Sequence, residues 1–293
     1  MKPIFDVGKA LTFGLDVFTA RPMAFVTLAI WTVLYAAALG VFQIQATGAA
    51  LAALSDVSAP PSAGDSTAVF QAMGQTYISM LPFFAIAMIL GVVVEAAWLR
   101  LFVRGQDGGI FPFRLGRDEG HYFIAGLGVL LLLLSVMTVA AVVMLLLSLI
   151  FALLGPIGAG IGAMIGILAM MGAYIVALIW LSPVLALTLL RGRLSIAAGI
   201  AGARRVFWPL LGGMIVSIVV FMLVFALMSA LTEIMPFDQY GILPDGDVAS
   251  WAQLFPYYAI VQVLMIAPAA MTRGVACYAA LQIDEAAPGS DAN

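Results

Sequence analysis

Six long apolar stretches, separated by shorter polar ones, set the pattern of this chain. They run at about 22–46, 76–103, 121–154, 157–190, 208–235 and 254–282. A helical membrane span needs roughly 20 apolar residues at ~1.5 Å rise each, so every stretch is long enough to cross a bilayer. The expectation is an all-α integral membrane protein, a six-helix transmembrane bundle forming one domain over residues 1–283. The third and fourth stretches exceed the requirement and abut at Gly155-Pro156. Proline lacks the N–H that continues a helix and clashes with the preceding turn. That run therefore reads as a tight hairpin of two spans, whose helices must tilt, break or project beyond the bilayer.

Short amphipathic cytoplasmic helices are expected beside the spans. Over residues 3–20, Asp6, Lys9, Thr12, Asp16 and Thr19 recur every three or four positions and make one polar stripe. Ile4, Val7, Leu11, Leu15 and Phe18 belong to the apolar remainder, which predicts a helix lying in the headgroup layer. The segment also lacks an uninterrupted apolar core ahead of a small-residue cleavage site, so it does not read as a signal peptide, and the first long apolar run, from near Met23, is expected to stay in the mature protein. The connection SDVSAPPSAGDS reads as a flexible loop, and residues 284–293 read as a disordered cytoplasmic tail. GKALTFGLDVFTARP and GRLSIAAGIAGARRVFWP share the spacing Lys9 to Arg21 and Arg193 to Arg205, and GQDGGIFPFRLGRDEG resembles a shorter copy. This suggests a thrice-used unit of amphipathic stretch, span out and span back; similar selection on cytoplasmic loops would produce the same pattern.

Charge orients the bundle. The basic residues before the first span and around the connections 104–120 and 191–207, with Arg273, all fall on or nearest one side. The opposite connections, 47–75, 155–156 and 236–253, contain no Lys or Arg. By the positive-inside rule the basic side is cytoplasmic, which puts both termini there. Composition agrees with the class. Sixty-four per cent of residues are hydrophobic and 9% charged, against about 25% charged in soluble domains. A net charge of −3 gives no basic footprint for nucleic acid. Ten arginines against two lysines, with abundant Ala, Gly and Val, resemble GC-rich bacterial usage; the expected location is a bacterial inner membrane.

At RGRLSIAAGIAGARRVFWPLLGG, residues 191–213, a basic amphipathic helix precedes the aromatic pair Phe207-Trp208 and a new span. This pattern resembles uncharacterised bacterial polytopic membrane proteins similar to the membrane domain of glycerophosphoryl diester phosphodiesterase. The catalytic domain of those enzymes has no counterpart here, so the resemblance implies a membrane module without that activity.

Few side chains suggest chemistry. Glu95 lies inside the second span, where an ionised carboxylate costs a few kcal/mol, so it needs a proton or a partner. Arg273 in the sixth span sits at comparable depth. Arg100 competes for it, five residues along the same helix. Such a pair either locks two helices together or marks a proton or ion path. EAA at 95–97 resembles the loop by which some permeases grip an ATPase, without its glycine. Gly158, Gly162 and Gly166 form a small-residue stripe for close helix packing, within the chain or between copies. Pro183 and Pro268 are expected helix kinks. His121, the sole histidine, has no metal or catalytic companion in sequence. No cofactor and no enzymatic function are expected. Two functions remain: a scaffold, assembly or lipid-organising component, or a transporter or permease subunit using the charged pair. The expected partners are membrane lipids, with a second protein or another copy of this chain as a further option.

Overall fold

The computed structural model describes residues 5–55, 66–106, 108–114, 116–232 and 249–286. Among them lie α1 (Val7–Ala20), α2 (Pro22–Ser55), α3 (Ser66–Arg104), α4 (Arg117–Ala152), α5 (Pro156–Arg191), α6 (Ile196–Arg205), α7 (Phe207–Thr232) and α8 (Trp251–Glu285). Six of these, α2, α3, α4, α5, α7 and α8, are long and apolar enough to cross a membrane. The protein is an all-helical, multi-pass membrane protein.

The helices overrun the apolar stretches, because backbone hydrogen bonding does not stop where hydropathy does. α2 continues to Ser55 and α3 begins at Ser66, so both helices run past the apolar stretches up to the two ends of the segment read as loop. The central part of that connection lies outside the described residues. At the other terminus α8 continues to Glu285, two residues into the stretch read as tail, and residues 287–293 lie outside the description. Gly155 ends the α4–α5 hairpin turn with φ 89°, a left-handed value that only glycine adopts without strain, and Pro156 opens α5.

The extra helix length is used at one end. The largest buried cluster takes Phe25 and Leu28 from α2, Trp98 and Leu101 from α3, Tyr122 from α4, Leu187 and Leu189 from α5, and Cys277 and Ala280 from α8. These lie at the late ends of α3, α5 and α8 and the early ends of α2 and α4. This end also carries Arg21, Arg100, Arg104, Arg191 and Arg273. Beyond it the helices turn apolar side chains outward: along α4, Leu131, Val139, Leu145 and Leu149 are all exposed. Such a surface suits hydrocarbon and not water.

α1 is docked against α8. A Cβ on Gly14 would stand 2.9 Å from the carbonyl oxygen of Ala270, and one on Gly274 would stand 3.1 Å from the amide nitrogen of Gly14. Small residues let the two backbones touch. The packed face is therefore Ala10, Gly14 and Val17, while Leu15 and Phe18 stay exposed. The polar stripe from Asp6 to Thr19 faces outward, and the Asp6 carboxylate caps α1 by accepting from the Lys9 N–H at 3.2 Å. Only two of the three similar segments carry a helix, α1 and α6. In the third, the described residues between Gly105 and Gly116 are non-helical.

Candidate functional site: charge pairs and an apolar groove

Two arginines one turn apart on α3 meet two adjacent acids on α4. Arg100 pairs with Glu119, and Arg104 pairs with Asp118 at 2.5 Å. Residues i and i+4 share a helix face, so one face of α3 reads the first turn of α4. The Arg100–Glu119 pair is the more deeply buried, at 7% and 5% side-chain exposure. Each partner makes one further contact: Arg100 Nη2 donates to the Pro112 carbonyl at 3.3 Å, and Glu119 Oε2 accepts from the Gly116 N–H at 2.9 Å. On sequence alone Arg100 competed for Glu95 and Glu119 served the helix dipole; in the structure each is the other's counter-ion. The readable signal was the Arg-x-x-x-Arg at the end of one span facing Asp-Glu at the start of the next.

Glu95 is thereby left to Arg273. Arg273 Nε donates to Glu95 Oε2 at 2.9 Å, and Arg273 Nη2 donates to Oε1, a bidentate fork joining α3 to α8. The guanidinium also sits 5.3 Å from the Trp98 ring centroid. Trp98 is fixed in turn by donating its indole N–H to Thr32 Oγ1 at 2.8 Å. Depth follows from helix length. From Trp251, where α8 begins, to Arg273 is about 33 Å of helix, against a hydrocarbon core of ~30 Å. The pair thus lies at the basic-end edge of the apolar zone and not at its middle. A fourth pair, Arg191 Nε to Asp284 Oδ1 at 2.7 Å, ties α5 to the last turn of α8.

The other sequence-selected residues are occupied structurally. Gly158, Gly162 and Gly166 are buried and face α4 of the same chain. Pro183 and Pro268 sit fully buried inside continuous helices. Pro183 cannot donate to Ile179, and the Ser182 hydroxyl donates to that carbonyl instead at 3.0 Å. Thr188 accepts the Ser195 N–H at 3.3 Å and so holds the α5–α6 turn. In the EAA segment Ala96 and Ala97 are buried in the core, and Glu95 is engaged by Arg273. His121 stands in the first turn of α4, and no group of three or more metal-ligating side chains occurs among the described residues.

An apolar concavity lies between α2 and α3. It holds about 680 Å³ and is walled by Leu34, Ala38 and Phe42 of α2, by Ile86, Leu90 and Val93 of α3, and by Phe111 and Phe113 of the connecting segment. Phe42 and Phe83 stack at 3.6 Å towards one end. Tyr35 Oη donates to the Ala87 carbonyl at 2.6 Å across the helices, and Trp31 Nε1 donates to the Ile110 carbonyl at 2.9 Å, pinning the segment in place. Arg114, exposed and in no ion pair among the described residues, stands at the rim. Along α2 the wall runs from Trp31 to Phe42, about 16 Å of helix, or half of a ~30 Å core. Leu34, Ile86 and Leu90 are 44–58% exposed, so the groove opens to the outside of the bundle. Sequence reasoning missed it, because a groove between two apolar helices leaves no polar signature.

Fold and site together define a multi-pass helical membrane protein with ion-paired helix ends and an apolar groove between α2 and α3. Searched against protein-family models, curated proteins and solved structures, the chain matches none of them.

Proposed function

We propose that this chain is a non-enzymatic protein of a bacterial inner membrane that organises lipid, with both termini in the cytoplasm. The observation that carries the reading is the α2–α3 groove. It is apolar, about one leaflet long, open sideways, and rimmed by a single arginine. An acyl chain meets those requirements, since apolar walls with a few placed polar groups are what a ligand site of this volume supplies. The likeness of residues 191–213 to a catalytically bare membrane module agrees with it. A transport role would rest on Glu95 and Arg273, yet these hold each other in a bidentate fork beneath Trp98, which favours a helix-locking role.

Filling the groove tests the reading. Ala38→Trp should lower the lipid that stays with the purified protein by several-fold, measured as lipid phosphate per chain after detergent exchange. Unchanged lipid in a variant of normal melting temperature would remove the groove from consideration. Orientation is tested separately. A reporter active only outside the cytoplasm should work at Ser62 or Gly246, whose connections lie outside the described residues, and fail at Gly108. The reverse pattern would invert the topology.

A further inference from the structure

A second feature of the basic end is used by none of the ion pairs. α6 ends in Arg204 and Arg205, and α7 begins at once with Phe207 and Trp208. Together with Val176 and Trp180 of α5 these side chains line an indentation of about 490 Å³. The Arg204 guanidinium lies 4.4 Å from the Trp180 ring centroid, an arrangement that orients its charge without neutralising it. Neither arginine is in an ion pair with a carboxylate among the described residues. Arg100, Arg104, Arg191 and Arg273, at the same end, each have one.

Position says what the free charges meet. α7 is a 26-residue apolar helix starting at Phe207, so its first turn lies where an apolar span of ~39 Å leaves the hydrocarbon. Trp180 lies on α5 about 36 Å from Pro156, hence at the same edge. Trp208 is 76% exposed there, as an interfacial tryptophan is. Two cations at the headgroup level, in a hollow walled by aromatic rings, match an acidic phosphodiester above an acyl chain. A zwitterionic headgroup would bring its own ammonium towards Arg204 and Arg205 and lose part of the attraction.

We infer that the Arg204–Arg205 hollow, framed by Trp180 and Trp208, is a binding site for the headgroup of an anionic phospholipid. This deepens the lipid-organising reading and rests on it, while using residues separate from the α2–α3 groove. A juxtamembrane arginine favours anionic lipid by about fivefold, and two in one hollow act on one phosphate.

The test uses the full chain in nanodiscs of phosphatidylethanolamine and phosphatidylglycerol, with the zwitterionic lipid in roughly threefold excess so that enrichment of the anionic one can be seen. Lipid that remains after mild detergent extraction is quantified by class. In wild type the retained ratio of phosphatidylglycerol to phosphatidylethanolamine should exceed the input ratio by about fivefold. R204Q/R205Q should bring the ratio back to the input while leaving total lipid per chain near normal. R205Q alone keeps the Arg204–Trp180 stack and is read if the double variant loses its melting transition; it should lose a large part of the enrichment. K9Q/R193Q removes the same charge elsewhere at the basic end and should keep the enrichment. No enrichment in wild type, full enrichment in R205Q and R204Q/R205Q, or equal loss in K9Q/R193Q would each overturn the site. If enrichment is absent but Ala38→Trp still lowers total lipid, the headgroup site fails and the groove stands.

Discussion

Arg100→Met is expected to destabilise the protein by about 3–5 kcal/mol, because it strands Glu119 in a buried site without a counter-ion. Glu119 is 4% exposed and Arg100 6%, so water cannot take over the lost charge. Glu119→Gln should be nearly as damaging. R100M/E119Q should recover part of the loss, since neither charge is then stranded. The same cycle at Glu95 and Arg273 should give a smaller effect, about 1–3 kcal/mol for either single variant. The Glu95 side chain is 38% exposed, and solvent screens what it loses. Thermal unfolding in detergent measures both cycles. Equal melting points for wild type and Arg100→Met would show that the pair does not hold α3 to α4. A biological assay adds a second reading at the outer pair. If E95Q/R273M folds and keeps full function, the pair is structural and a transport role loses its residues.

Gly162→Leu should open the α4–α5 hairpin. A Cβ at Gly162 would already stand 2.8 Å from both the Leu147 carbonyl oxygen and the Phe151 Cβ, and at Gly166 it would stand 2.4 Å from Met144 Cγ. The neighbours in the first case are a backbone carbonyl and a Cβ bonded directly to the backbone, so they cannot swing away. The cost should be at least the 1–3 kcal/mol typical of overpacking. Gly160 provides the control. It lies on the same helix but has nothing within 4 Å of its would-be Cβ, so Gly160→Leu should leave the melting temperature unchanged or raise it through better helix propensity. If the two variants behave alike, the stripe is not the contact that closes the hairpin. Because the stripe is consumed inside one chain, it offers no free surface for pairing two copies.

The class of fold was legible from periodicity and hydropathy alone. Six spans, a hairpin broken at Gly155-Pro156 and a one-sided arginine distribution are all local properties, set by what hydrocarbon tolerates and by proline's missing donor. The glycine stripe was equally legible, since a spacing of four residues fixes a helix face. Helix ends were less so. α3 starts at Ser66 and α8 runs to Glu285 because helical hydrogen bonding continues through residues too polar for a hydropathy boundary.

Partner choice among the charges lay beyond the sequence. Glu95 and Arg273 are separated by 178 residues, and depth along a helix narrows the options without assigning them. Only the packing of α3 against α4 committed Arg100 to Glu119 and so left Arg273 for Glu95. The docking of α1 through Gly14 and Gly274, the groove between α2 and α3, and the hollow at Arg204 and Arg205 are also tertiary facts. Each depends on the relative placement of helices, which side-chain packing decides. In an apolar chain many such packings share one hydrophobic pattern, so the pattern specifies spans and faces, and the contacts decide which faces meet.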